Sequence, residues 1–140
     1  MPIPLRSFTP GILAVSALAV GLGAVFAQPM PATKVTPVMK QALPDVPGRE
    51  MLMITLDIPP GGGSPPHRHP GHHIFGYVLE GSYRIKVGDG PEQVLNKGDT
   101  FYEPPGALHA VSRNASDSAP AKVLVTILAE SGKPTTVPEK

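Results

Sequence analysis

The side chains most able to do chemistry are the histidines. The chain has five, and four of them, His67, His69, His72 and His73, fall within seven consecutive residues of a glycine- and proline-rich stretch. The fifth, His109, follows Pro104-Pro105-Gly106-Ala107-Leu108. Neutral imidazole is the commonest protein ligand for transition metals. His67 and His69 are two apart, so in a strand both imidazoles leave the same face. Pro70-Gly71 then bends the chain and returns His72 or His73. Alternation groups His73 with Phe75, Tyr77 and Leu79, and Ile74 with Gly76, Val78 and Glu80. Parity alone does not choose the inward set, so His73 is taken as the fourth ligand with His72 as its alternative. His109 opens a later strand and completes the set from another side. Such a set, with metal–nitrogen distances of about 2.0–2.2 Å, suits one divalent transition metal: iron, manganese, copper, nickel or zinc.

Strands must position these residues. Glu50–Ile58 is nearly all apolar, as a strand covered on both faces would be. Pro59–Pro66 can only be a loop. Ile74–Glu80 is a second strong strand. Ser82–Val87 and Glu92–Leu95 flank the turn Gly88-Asp89-Gly90-Pro91 and form a hairpin. Thr100–Glu103, His109–Arg113 and Lys122–Ala129 follow. Seven or eight short strands, with turn chemistry near every tenth residue and no sustained helical period, predict an all-β fold. The expected form is a small antiparallel β-barrel or jelly roll over residues 49–130. Nineteen prolines and fifteen glycines in 140 residues agree with many turns.

The flanks differ in character. Arg6 precedes an apolar run of 16 residues, Ile12–Ala27, shorter than the roughly 20 needed to span a membrane. With small residues at Val25 and Ala27, the two positions a signal peptidase reads, segment 1–27 reads as a secretory signal peptide, cleaved before Gln28. Export, to a bacterial periplasm, and membrane contact only through that signal are the expectations. Removal of Arg6 with the signal leaves eleven basic and eleven acidic side chains, a balance without the basic footprint of a nucleic-acid binder. Residues 28–48, with five prolines, read as a linker or arm whose Val35, Val38 and Met39 can add an edge strand and embrace a second subunit as a homodimer. The tail 131–140 is expected to be loose. There is no cysteine, which excludes disulfides and thiolate chemistry.

Two spacings together carry a resemblance to the cupins. Gly61, His67, His69 and Gly81 stand where that family's first motif has glycine, His-x-His and glycine. Gly98, Pro104, Gly106 and His109 match its second motif, with Asn114 one residue late, where Arg113 stands in the pattern. Tyr77-Val78-Leu79-Glu80-Gly81 and Gly98-Asp99 are also typical. The resemblance implies a conserved barrel with its metal held by motif residues. It departs at the carboxylate that usually follows His-x-His, for which this chain offers His72, His73 or Ile74. Glu80, at the strand-end turn, is a poor substitute. An all-histidine site would leave the metal charge uncompensated and favour an anionic or enolic ligand.

The function expected is therefore a metal-dependent, dioxygenase-like oxidoreductase acting on a small anionic or enolic molecule. The competing expectation is a periplasmic metal- or small-molecule-binding module, a sensor or carrier without turnover. Phe75, Tyr77, Phe101 and Tyr102 are candidate pocket-lining residues. Glu103, just before Pro104, reads as a solubilising rim residue, with service as a base as its alternative.

Overall fold

The computed structural model describes residues 29–140, so the segment read as a signal peptide lies outside the described residues. Among the described residues there are eleven strands: β1 Lys34–Ala42, β2 Arg49–Ile58, β3 Gly63–Ser64, β4 His67–Arg68, β5 His73–Glu80, β6 Ser82–Val87, β7 Gln93–Asn96, β8 Thr100–Glu103, β9 Leu108–Asn114, β10 Ala121–Glu130 and β11 Val137–Pro138. They form two sheets, one in the order β1-β2-β10-β5-β8 and one in the order β11-β4-β9-β6-β7, with β3 also on β9. All the strand pairings are antiparallel. No helix occurs among the described residues. The all-β expectation is met.

Alternation along the strands builds the core. On β10, Ala121, Val123, Val125, Ile127 and Ala129 are buried, while the residues between them are half-buried. On β5 the buried set is Ile74, Gly76 and Val78, which leaves Phe75 and Tyr77 exposed on the outer face. These residues pack with Ile58, Tyr83 and Ile85 between the sheets. Gly76 is required at its place, because a β-carbon there would run into the ring of Phe101 on the neighbouring strand. The β6–β7 hairpin pairs Ser82 with Asn96 through Ile85 with Gln93, and Arg84 meets Glu92 at 2.9 Å across it.

Both flanks join the barrel. The arm adds β1 to the edge of β2, with a register shift between Pro37 and Met39 where proline cannot donate to the ladder. The tail does not hang free as expected. Val137 and Pro138 pair with Arg68 and His67, and the Glu139 amide donates to the Pro66 carbonyl at 3.1 Å. An ion pair fixes it: Arg68 donates to both carboxylate oxygens of Glu139, at 2.6 and 3.1 Å. Arg68 also donates to the Gly106 carbonyl at 3.0 Å. Tail composition gave no hint of this, because the holding groups lie some seventy residues upstream.

Candidate metal centre

Three histidines converge. His67 on β4 is the register partner of His109 on β9, and His69 follows two residues after His67. Their ligand nitrogens all lie within 4.8 Å of one another. The His67 ring stands 4.9 Å from that of His69 and 4.8 Å from that of His109, centre to centre. His69 and His109 are buried and His67 is half-buried.

Backbone carbonyls set the tautomers of two of them. Nδ1–H of His67 donates to the Pro65 carbonyl at 2.8 Å, and Nδ1–H of His69 donates to the Thr135 carbonyl at 2.5 Å. Each neutral ring then presents an unprotonated Nε2, the arrangement that orients metal-binding histidines. Burial, followed by repulsion from His109 and His69, lowers the pKa of His67 and keeps its lone pair available near neutral pH. His109 is bracketed by Tyr83, whose hydroxyl lies 3.5 Å from Nε2 and 2.7 Å from the Ser112 hydroxyl. Burial pushes the Tyr83 phenol far up, so it stays a neutral donor.

His72 and His73 do not join the cluster. His72 is fully buried with both ring nitrogens engaged: the Glu130 amide donates to Nδ1 at 3.0 Å, and Nε2–H donates to the Pro134 carbonyl at 2.9 Å. No lone pair is left for a metal. His73 lies on the outer face of β5, its Nδ1 2.8 Å from the Tyr102 hydroxyl. Its parity is that of exposed Phe75 and Tyr77, the set that points outward.

Glu103 is not the solubilising rim residue expected. It is only 2% exposed and lies inside the barrel, not at the rim. Its Oε2 stands 3.1 Å from Nδ1 of His109 and 3.7 Å from Nε2 of His69. Alternation along β8 explains this: Thr100 and Tyr102 are exposed, whereas Phe101 and Glu103 turn inward. That parity was available in the sequence and separates Glu103 from a surface carboxylate.

These groups form one wall of a cavity of about 330 Å³. Leu52, Ile54, Leu56, Ile74, Val125 and Ile127 give it an apolar floor, and Thr135, Thr136 and Pro138 of the tail close part of its mouth. No arginine or lysine lines it among the described residues. Of the expected pocket residues, Phe101 is there, while Phe75, Tyr77 and Tyr102 are 42–49% exposed on the opposite face of the sheet.

The residues fit a metal on two counts. Three imidazole nitrogens converge, and two buried polar atoms beside them, Glu103 Oε2 and His109 Nδ1, have no hydrogen-bond partner. Orphaned buried polar atoms are rare and call for a partner such as an ion.

A family model described as Cupin domain matches residues 54–127. A germin-like protein of Oryza sativa subsp. japonica is 35% identical over 95 residues, 64% of this chain and 43% of that protein. A germin-like protein of Mesembryanthemum crystallinum is 38% identical over 77 residues, 46% of this chain and 33% of that protein. The chain thus spans less than half the length of these curated relatives. Among solved structures, a protein of Thermus thermophilus is 33% identical with a TM-score of 0.58, over 69% of this chain and 83% of that one. Oxalate oxidase in complex with the substrate analogue glycolate is 25% identical with a TM-score of 0.58, over 75% of this chain and 54% of that one. A double-stranded β-helix protein from Klebsiella pneumoniae, 18% identical with a TM-score of 0.61 over 84% of this chain and 99% of that one, shares the fold.

Proposed function

Because the chain belongs to the cupin family, we propose that it is a metal-dependent oxidoreductase in which His67, His69 and His109 hold one divalent transition metal at the wall of the barrel cavity. The convergence of their ligand nitrogens within 4.8 Å carries this reading. When bound, the metal would polarise an oxygen-bearing substrate and supply the redox chemistry that protein side chains lack.

The chain's own residues bind, orient and exclude water. Pro65 and Thr135 carbonyls hold the His67 and His69 rings so that Nε2 faces the cavity. The aliphatic floor excludes water from the reacting centre and accepts the apolar part of a substrate. No arginine or lysine lines the cavity among the described residues, so a bound metal would be the positive group offered to an anion. This favours a small carboxylate or enolate that reaches it with one oxygen end. Likeness to oxalate oxidase with glycolate bound supports a small oxygen-rich acid as the first substrate class to try. We further propose that the chain is exported with residues 1–27 removed, which mass analysis of the secreted N-terminus would check.

The decisive experiment is metal analysis joined to oxygen uptake. Purified protein should hold close to one metal per chain, and His67→Ala or His109→Ala should abolish it. Retention of full metal by both variants would overturn the site. Iron-, manganese- and copper-loaded protein should consume oxygen with a member of a panel of oxalate, glycolate, enols and catechols. Tight reversible binding without uptake would favour a binding module.

A further inference from the structure

Resting on the metal site proposed above, we infer that Glu103 is a direct metal ligand, supplied from β8 in place of the carboxylate that the first motif lacks on its own strand. The register carries the first half of the argument. Where the family pattern has its carboxylate, this chain has His72, His73 or Ile74, and Ile74 is the cross-strand partner of Glu103. Residues directly opposite on an antiparallel pair share a face, with β-carbons roughly 4.5–5.5 Å apart. A carboxylate moved from position 74 to position 103 therefore shifts sideways by one strand and still enters the same cavity.

The electrostatics carry the second half. Nδ1–H of His69 is committed to the Thr135 carbonyl, so its Nε2 turns a lone pair toward Glu103 Oε2 at 3.7 Å. A lone pair facing a carboxylate oxygen in a buried site is repulsive, and a cation between them makes it attractive. His109 Nδ1 lies 3.1 Å from the same oxygen without hydrogen-bond alignment, and both atoms lack partners. No arginine or lysine lines the cavity to neutralise the carboxylate among the described residues. The carboxylate oxygen thus lies within 3.7 Å of two of the three converging histidines. A single carboxylate halves the charge of a divalent metal, so an anionic substrate is held less tightly than by an all-histidine site, and oxygen-preferring ions such as manganese and iron gain over copper.

Glu103 must be distinguished from a residue that only orients His109. The test is Mn2+ titration of wild type, Glu103→Gln, Glu103→Asp and Glu103→Ala, with the number of metal-bound waters counted by electron–nuclear double resonance in 17O-labelled water. Circular dichroism monitors the fold, and Glu103→Asp replaces any variant that misfolds. Glu103→Gln and Glu103→Ala should bind Mn2+ more weakly, and Glu103→Ala should gain one bound water. Where binding is too weak for counting, a loss beyond about 100-fold supports ligation, because removing a group that only orients a ligand costs about 10–100-fold. Weaker binding within that range at an unchanged water count, or unchanged affinity, would overturn the inference and leave the three-histidine site standing. Failure of the wild type to bind Mn2+, Fe2+ or Cu2+ would instead remove the metal reading itself.

Discussion

His69 on the barrel wall and Thr135 in the C-terminal tail are joined by a 2.5 Å hydrogen bond across 66 residues of sequence. The bond makes the tail part of the candidate metal centre, since it selects the tautomer that frees His69 Nε2. A chain ending at Pro134 keeps the acceptor of His72 but loses the Thr135 carbonyl together with β11. Its barrel strands should persist in circular dichroism, while affinity for Mn2+ falls by about 10-fold or more, the usual effect of removing a ligand-orienting partner. Unchanged affinity in a folded truncation would show that the tail does not orient His69.

Tail docking should also depend on pH through Glu139. Arg68 hydrogen-bonds its carboxylate and holds its pKa below the usual carboxylate range. A depressed carboxylate pKa gives stability that is present above the unfolded-state value and lost as pH falls through the folded one. Hydrogen exchange at the Glu139 amide should therefore be protected at pH 6 and lose that protection below about pH 4, after correction for the intrinsic exchange rate. Glu139→Gln should weaken protection at pH 6 and flatten the profile. An acid-insensitive profile in wild type would show that the β11 ladder, and not the ion pair, holds the tail.

Local signals made the barrel legible. The apolar runs of β2 and β10, the glycine-rich turns and the His67–His69 spacing are properties of neighbouring residues. What escaped was set by parity or by distance in the chain. His73, Phe75, Tyr77 and Tyr102 are aromatic and near the histidines, yet alternation places them outside once Ile74 and Val78 are buried. Glu103 reads as a surface acid by type, although its parity with Phe101 turns it inward. The docking of Thr135 and Glu139 depends on partners some seventy residues upstream, and local composition does not carry that.

His72 and His73 are neighbours with different duties. His72 bridges the Glu130 amide and the Pro134 carbonyl inside the protein, whereas His73 meets only the Tyr102 hydroxyl at the surface. His72→Ala strands both backbone groups and should cost roughly 2–4 kcal/mol of stability. His73→Ala should cost under about 0.5 kcal/mol. Denaturant melts of the two variants check the difference. Both should bind metal at wild-type stoichiometry, and loss of metal in folded His73→Ala would return it to the ligand set.

Gly76 and Phe101 form a close pair across β5 and β8, with Phe101 on the cavity wall. A methyl group at position 76 must push the ring away, and overpacking of this kind costs about 1–3 kcal/mol. The displaced ring has the cavity on one side, so Gly76→Ala should lower both the melting temperature and the affinity for any ligand filling the apolar floor. Leucine at position 101 has the slimmer side chain that the methyl group leaves room for. Gly76→Ala combined with Phe101→Leu should therefore be more stable than the sum of the two single changes predicts. Simple additivity in calorimetry would show that backbone adjustment, and not the ring, absorbs the added methyl.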